Sequence, residues 1–471
     1  MLKKLFIKNK IWNPLDKKTI KDFNKNREAS KRKHLCHAPF KSLCFSHSGD
    51  ILACWYNKMY PLGKYPNDKI KDIWFSERAR KLRKHILHND LNFGCYDCKR
   101  NIENKFYHAQ SPYRYDFLPN FTSKYPINMD FQISEQCNLK CIMCNGENST
   151  KIRQERENKE MLQSPYDDDF YEQLKEFIPH LKEASFSGGE PFVGNKFFKI
   201  WDLIINFNPN IKLSVTTNGN ILNDNVKYYL SKLNFHITLS LDAINPDIYK
   251  NIRIGGDLNT FLHNFDWFYE YTKNKSTYFN IKTCVMQQNW KDLPDLAEFL
   301  NKKNVSFLYN NVFYPPNASI WNLSSTKLSE IKTYLENNFV FYNNSSEQSR
   351  NTETMKGLLR QIDTWQKQAL YIESFELNKM TTKELEKFLL NNFKTFILNE
   401  QKENINSYPF SYLEIEKIIT KLVQDTKNEY LVNNGLIYFC KSPVEKIISE
   451  FRIRNYETIK DRFIQACKFT Y

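Results

Sequence analysis

The chain has 471 residues, 41% of them hydrophobic and 15% aromatic, and a formal net charge of +15. This composition excludes an intrinsically disordered chain, and the length suffices for two or three domains with full cores. No stretch supplies the roughly 18 apolar residues of a membrane span and the start lacks a secretion signal's apolar run, so a cytoplasmic protein is expected, its eleven cysteines serving as metal ligands or reduced thiols.

In chain order, residues 1–35 form a basic segment. Residues 1–34 hold twelve Lys and Arg against Asp16, Asp22 and Glu28, a net charge of +9. Such an arm can meet phosphates, but it also reads as a solvated tail, so a nucleic-acid partner is not expected.

Residues 36–110 read as a small α+β, cysteine-rich module. Cys36, Cys54, Cys95 and Cys98 follow the pattern C-x17-C-x40-C-x2-C. Four thiolates complete a closed iron–sulfur or zinc site, and spacing does not choose between the metals. SLCFSHSGDILAC reads as a hairpin with Gly49 at its turn, and KIKDIWFSERARKLR as a helix. Cys44, mid-strand, reads as a core thiol.

Residues 125–315 alternate strands and helices. Apolar or β-branched runs at 127–134, 183–191, 211–219, 235–243, 279–287 and 305–313 predict six strands. Amphipathic stretches at 197–207 and 293–304 predict helices between them. This alternation implies parallel βα units, in which chemistry collects at the carboxyl ends of the strands. Those ends carry CNLKCIMC, SGGEP, TTNG, SLDA and MQQN. The first holds Cys137, Cys141 and Cys144, one thiolate fewer than a closed site takes, so a metal group there keeps one position open.

Residues 325–471 read as mostly helical, with TTKELEKFLLNNFKTFILNE and YLEIEKIITKLVQD as helices and Pro443 at a helix start. Cys284, Cys440 and Cys467 read as buried, inert thiols. No residue is identified as the catalytic acid, base or hydrogen donor.

With its CxxxCxxC loop after the first barrel strand, the stretch 125–315 resembles the radical S-adenosylmethionine (SAM) superfamily. The resemblance implies a partial (β/α)6 TIM-like barrel and a 4Fe-4S cluster held by Cys137, Cys141 and Cys144, whose open iron binds SAM. Met143 departs from the aromatic residue that often precedes the third cysteine. Carried over residue by residue, Gly188, Gly189, Glu190 and Pro191 match the loop at the SAM amino group, Glu190 balancing the ammonium. Thr217, Asn218, Ser240, Asp242 and Arg253 match further SAM-contacting positions.

The Cys36, Cys54, Cys95, Cys98 set resembles the Twitch module, a shortened SPASM domain carrying an auxiliary 4Fe-4S cluster, although here it precedes the barrel instead of following it. The resemblance implies reductive cleavage of SAM to a 5'-deoxyadenosyl radical, an electron donor such as a flavodoxin or ferredoxin, and oxidative modification of a peptide or protein. A sugar or small metabolite is the alternative substrate. A zinc-stabilised nucleic-acid-binding protein is the alternative from another class.

Overall fold

A computed structural model describes residues 12–25, 27–103, 105, 112–119, 123–403 and 411–468. All six expected strands are present: β4 (Asn128–Gln132), β5 (Glu183–Phe186), β6 (Lys212–Thr217), β7 (Phe235–Ser240), β8 (Phe279–Val285) and β9 (Ser306–Asn311), each parallel to the next. The predicted stretches overran because each included the loop where strand pairing stops and the chain turns across the sheet end. The predicted helices appear as Lys196–Phe207 and Leu293–Lys302. The fold is α/β, a partial barrel of βα units with a helical C-terminal region.

Parallel strands are usually apolar on both faces. Here they alternate. In β7, Phe235, Ile237 and Leu239 are buried, while His236, Thr238 and Ser240 on the other face are only partly so. The apolar face packs on the helices, and the concave face is left polar and partly open.

The cysteine-rich module is built into the same sheet. β1 (Ser42–Ser46) pairs parallel with β4, β2 (Asp50–Leu52) pairs antiparallel with β1, and β3 (Gly63–Lys64) follows, so nine strands run in the order β3-β2-β1-β4-β5-β6-β7-β8-β9. Phe45, Phe131 and Phe186, in register on β1, β4 and β5, stack with ring centroids 5.0 and 5.4 Å apart and join module to barrel. The hairpin is as expected, with Gly49 at φ +86°. The single helix expected from KIKDIWFSERARKLR is two, Ile70–Trp74 and Glu77–Leu87, because the Ser76 side chain caps a new helix by accepting from Ala79 N.

The basic segment is not simply a solvated tail. Residues 1–11 lie outside the described residues, and past them Arg27 is 3% exposed with its Nε 2.6 Å from Asp116. Lys31 is also buried, donating to the Leu118 carbonyl. Part of the positive charge thus anchors the segment to residues 116–118.

Among the described residues the C-terminal region holds seven α-helices: Ser325–Asn338, Ser346–Glu373, Thr382–Glu403, Tyr412–Asp425, Glu429–Lys441, Val444–Ile453 and Tyr456–Cys467. Pro443 is the N-cap of the sixth, as expected. Asn351 bonds the β9 backbone at Phe307 N (2.8 Å), Lys159 pairs with Asp461 (2.6 Å) and Arg454 with Glu147 (2.7 Å). The last helices therefore cover the loop that follows the three cysteines.

Candidate functional site

The cysteine loop leaves β4 and pairs with the backbone around Arg253: Lys140 N donates to Ile254 O at 2.8 Å and Ile142 N to Ile252 O at 3.0 Å. Cys141 is buried, Cys137 and Cys144 partly exposed, and none forms a disulfide. Burial pushes the Cys137 and Cys144 thiols up to about 12. It raises Cys141 as well, with the Arg253 charge opposing. Thiols so placed stay protonated until a metal replaces the proton.

Behind the loop stand the expected strand-end residues, partly in roles the sequence did not indicate. Gly188 and Gly189 have φ of +86° and +52°, and a Cβ on Gly189 would lie 2.3 Å from the Gln136 carbonyl oxygen. The close approach these glycines permit is thus to the cysteine loop's own backbone. Glu190, expected to face a ligand ammonium, is 0% exposed and accepts from Thr217 Oγ1 (2.7 Å), Asn218 N (2.6 Å) and Phe192 N (3.1 Å). Burial pushes its carboxyl up to about 7 against those hydrogen bonds. Asn218 Nδ2 continues to Asn138 Oδ1 at 2.8 Å. Glu190 therefore clamps the second and third strand-end loops to the cysteine loop. Pro191 follows directly, and Ser240 ends β7 on the concave face.

Asp242 and Arg253 meet as a buried pair, Nη2 to Oδ2 2.7 Å, while Asp242 Oδ1 accepts from Cys284 N at 2.7 Å. Asn289, from MQQN, is fully buried and donates to the carbonyls of Asp242 (2.7 Å) and Cys284 (2.8 Å). Arg253 Nε is buried with no acceptor among the described residues. A donor left open beside Cys141 fits a site completed by a bound group with anionic oxygens.

In the module, Cys36, Cys54, Cys95 and Cys98 line one small pocket with Ala53, Tyr56, Asn57 and Tyr115. All four are buried free thiols, raised by burial and, for Cys36, Cys95 and Cys98, by one another's charge. Asn57 Nδ2 donates to Cys95 Sγ at 3.4 Å, and its Oδ1 has no partner among the described residues. Cys44 stands apart, its Sγ bonded to Asp130 Oδ2 at 3.3 Å. Among the described residues no three His, Cys, Asp or Glu side chains converge on a position for a single metal ion.

Sequence reasoning missed Cys284 at the site, together with the pair Glu147 and Arg454. Cys284 lies near Asp242, Arg253 and Cys141. Its place in the alternation of β8 was the available signal, but the pattern does not tell which face is concave.

Two family models match: the radical SAM superfamily over residues 131–300 and the SPASM iron–sulfur cluster-binding domain over residues 36–99. Residues 131–300 are thus a radical SAM domain, with a SPASM domain ahead of it. This radical SAM domain takes a 4Fe-4S cluster with SAM, and the SPASM domain ahead of it takes a further iron–sulfur cluster. Among curated proteins, this chain is similar to a probable GTP 3',8-cyclase of Methanocaldococcus jannaschii, 28% identical over 174 residues, 36% of this chain and 54% of that one. It is also similar to one of Methanococcus vannielii, 35% identical over 128 residues, 27% of this chain and 39% of that one. The match thus spans about half the length of these relatives or less. Solved structures similar to the chain include native anSMEcpe with bound AdoMet, at TM-score 0.35 and 20% identity over 45% of this chain and 59% of that one. Streptococcus suis SuiB bound to S-adenosylmethionine matches at TM-score 0.33 and 17% identity over 55% and 56%. No helix among the described residues is long and apolar enough to cross a membrane.

Proposed function

We propose that this chain reductively cleaves SAM and that the resulting radical removes a hydrogen atom from a substrate held against the polar concave face, in an oxidative modification. In this reading Cys137, Cys141 and Cys144 hold the SAM-binding cluster, and Cys36, Cys54, Cys95 and Cys98 the auxiliary one. When bound, the first cluster supplies one electron to the SAM sulfonium. The chain's own residues bind, orient and exclude water. Gly188, Gly189, Pro191 and Ser240 border the SAM position, with Glu190, Thr217 and Asn218 fixing the loops and the Asp242–Arg253 pair offering its open Nε. The helices over residues 144–160 keep water out.

The observation that carries the reading is the convergence of the Glu190 clamp and the Asp242–Arg253 pair behind a three-cysteine loop. We divide the chain accordingly into a leading segment 1–35, an auxiliary module 36–110, the barrel 125–315 and the helical region 325–471. A cytoplasmic location with a flavodoxin or ferredoxin as electron donor belongs to the same reading, since all eleven cysteines are free thiols.

A peptide or protein is one substrate reading. The small-metabolite reading is favoured by the polar concave face and by the curated relatives, whose names specify GTP 3',8-cyclases.

Iron, sulfide and zinc content after anaerobic reconstitution, followed by assay of SAM cleavage, tests the proposal. About eight irons per chain are expected from two four-iron clusters. In Cys141→Ala the expected content is about four, with no 5'-deoxyadenosine formed. Cleavage by that variant, or zinc as the sole metal, would refute the assignment.

A further inference from the structure

The module holds a second cavity, of about 550 Å3, that shares no lining residue with the four-cysteine pocket. Binding sites for small molecules run from about 300 to 1,000 Å3. Its walls come from three stretches: residues ahead of β1, with Lys33, Phe40 and Lys41; the helix pair, with Trp74 and Arg83; and Lys124, just before β4. Hydrogen bonds hold these walls together. Arg83 Nε donates to Pro39 O at 2.8 Å and Nη2 to Trp74 O at 3.0 Å, while Trp74 Nε1 donates to Lys124 O at 2.8 Å. The His34 ring, also on the wall, stacks on Phe40 with centroids 5.0 Å apart.

Four cations thus line one cavity, and among the described residues no Asp or Glu lines it. Nor does Lys33, Lys41, Arg83 or Lys124 form an ion pair among the described residues. The carboxylates nearby are engaged elsewhere. Asp116 lies 3.7 Å from His37 Nε2 on the wall, but Arg27 holds it at 2.6 Å. Glu176 is bonded by Lys71 and by the hydroxyl of Tyr125, Lys124's neighbour, at 2.7 Å each. Lys41 is buried, its ammonium donating to the Pro119 carbonyl, and Arg83 Nη1 has no acceptor among the described residues. A cleft walled by one sign of charge attracts the opposite sign.

A bare oxyanion would fill only part of this volume, and the wall offers it aromatic surface it could not use. We propose that the cavity binds a phosphorylated organic molecule with a planar ring, of nucleotide size. Lys41 and Arg83 hold its phosphate, Lys33 and Lys124 stand at the exposed mouth, and the ring lies against the aromatic wall. Arg83 presents a planar fork and each lysine a point charge, a combination suited to an oxyanion with several oxygens. The site does not depend on the radical SAM reading, since none of its residues is assigned to either cluster.

The test is calorimetric titration of the anaerobically reconstituted full chain, in excess SAM, with AMP, inorganic phosphate and adenosine in separate arms. AMP is expected to bind saturably at one per chain, and phosphate and adenosine roughly tenfold or more weakly, each lacking one part of the recognised molecule. Lys41→Gln and Arg83→Gln should each weaken AMP roughly tenfold by loss of a charge-assisted contact. Replacing Lys33 and Lys124 together by Gln should weaken it about threefold. Both stand at exposed positions, so this variant still decides the matter should the other two fail to fold. Absence of saturable AMP binding, phosphate bound as tightly as AMP, or unchanged AMP affinity in the folded variants would overturn the proposal.

Discussion

Arg454→Ala isolates what the C-terminal helices do for the cysteine loop. Arg454 Nη1 lies 2.7 Å from both carboxylate oxygens of Glu147, three residues beyond Cys144, and Nε lies 2.6 Å from Glu450. Burial works against the charge on Glu147, yet Arg454 holds its carboxyl below the ordinary value. A charge-assisted contact of this kind contributes about 1.5–3 kcal/mol when fully buried. Arg454 is 17% exposed and Glu147 32%. Solvent screening reduces the contribution to about 1–2 kcal/mol. The contact is local, so the amides of residues 145–156 are the place to read it. Their hydrogen exchange in the reconstituted protein should quicken about 5- to 30-fold in Arg454→Ala, and high salt should narrow the gap between wild type and variant. A double-mutant cycle with Glu147→Gln should show coupling of similar size. Unchanged exchange, or additive effects of the two substitutions, would refute the idea that the helices hold this loop closed.

Glu190 predicts a pH dependence. Its folded-state pKa of about 7 lies above the ordinary 4.5, so the folded protein keeps a proton that the unfolded chain has released between those values. That stabilisation, about 3 kcal/mol, is present below pH 4.5 and is lost as pH rises through 7. Denaturation midpoints measured over this window should fall less with rising pH in Glu190→Gln than in wild type, and parallel curves would count against a buried carboxyl. Gly189→Ala places a methyl 2.3 Å from the Gln136 carbonyl at φ +52°, so the cysteine loop must shift. Iron incorporation at the three-cysteine site should drop while the four-cysteine site loads normally, as visible absorption and metal content will report.

The six strands were legible because each is an apolar run closed by a polar loop, and the three-thiol loop because its spacing is unusual. Glu190 was legible as part of the SGGEP motif, but its hydrogen-bond partners were not. Only the fold reveals that Thr217, Asn218 and Phe192 use both carboxylate oxygens. Arg454 was hidden among 68 Lys and Arg residues. What distinguishes it is a neighbour distant in sequence, Glu147, 307 positions away. The joining of module to barrel was hidden too, because strand pairing between β1 and β4 leaves no local pattern.

That pairing has a consequence for how the chain can be divided. β4 is an interior strand only because β1 lies along it, with five residues in register from Ser42–Asn128 to Ser46–Gln132. A truncated protein starting at the barrel would present β4 as a raw edge, its backbone donors and acceptors unpaired and the ring of Phe131 stripped of Phe45. Unpaired edges of this kind recruit other chains. The leading module thus covers an edge open to self-association, so its removal should lower solubility as well as take away the four cysteines assigned to the auxiliary cluster.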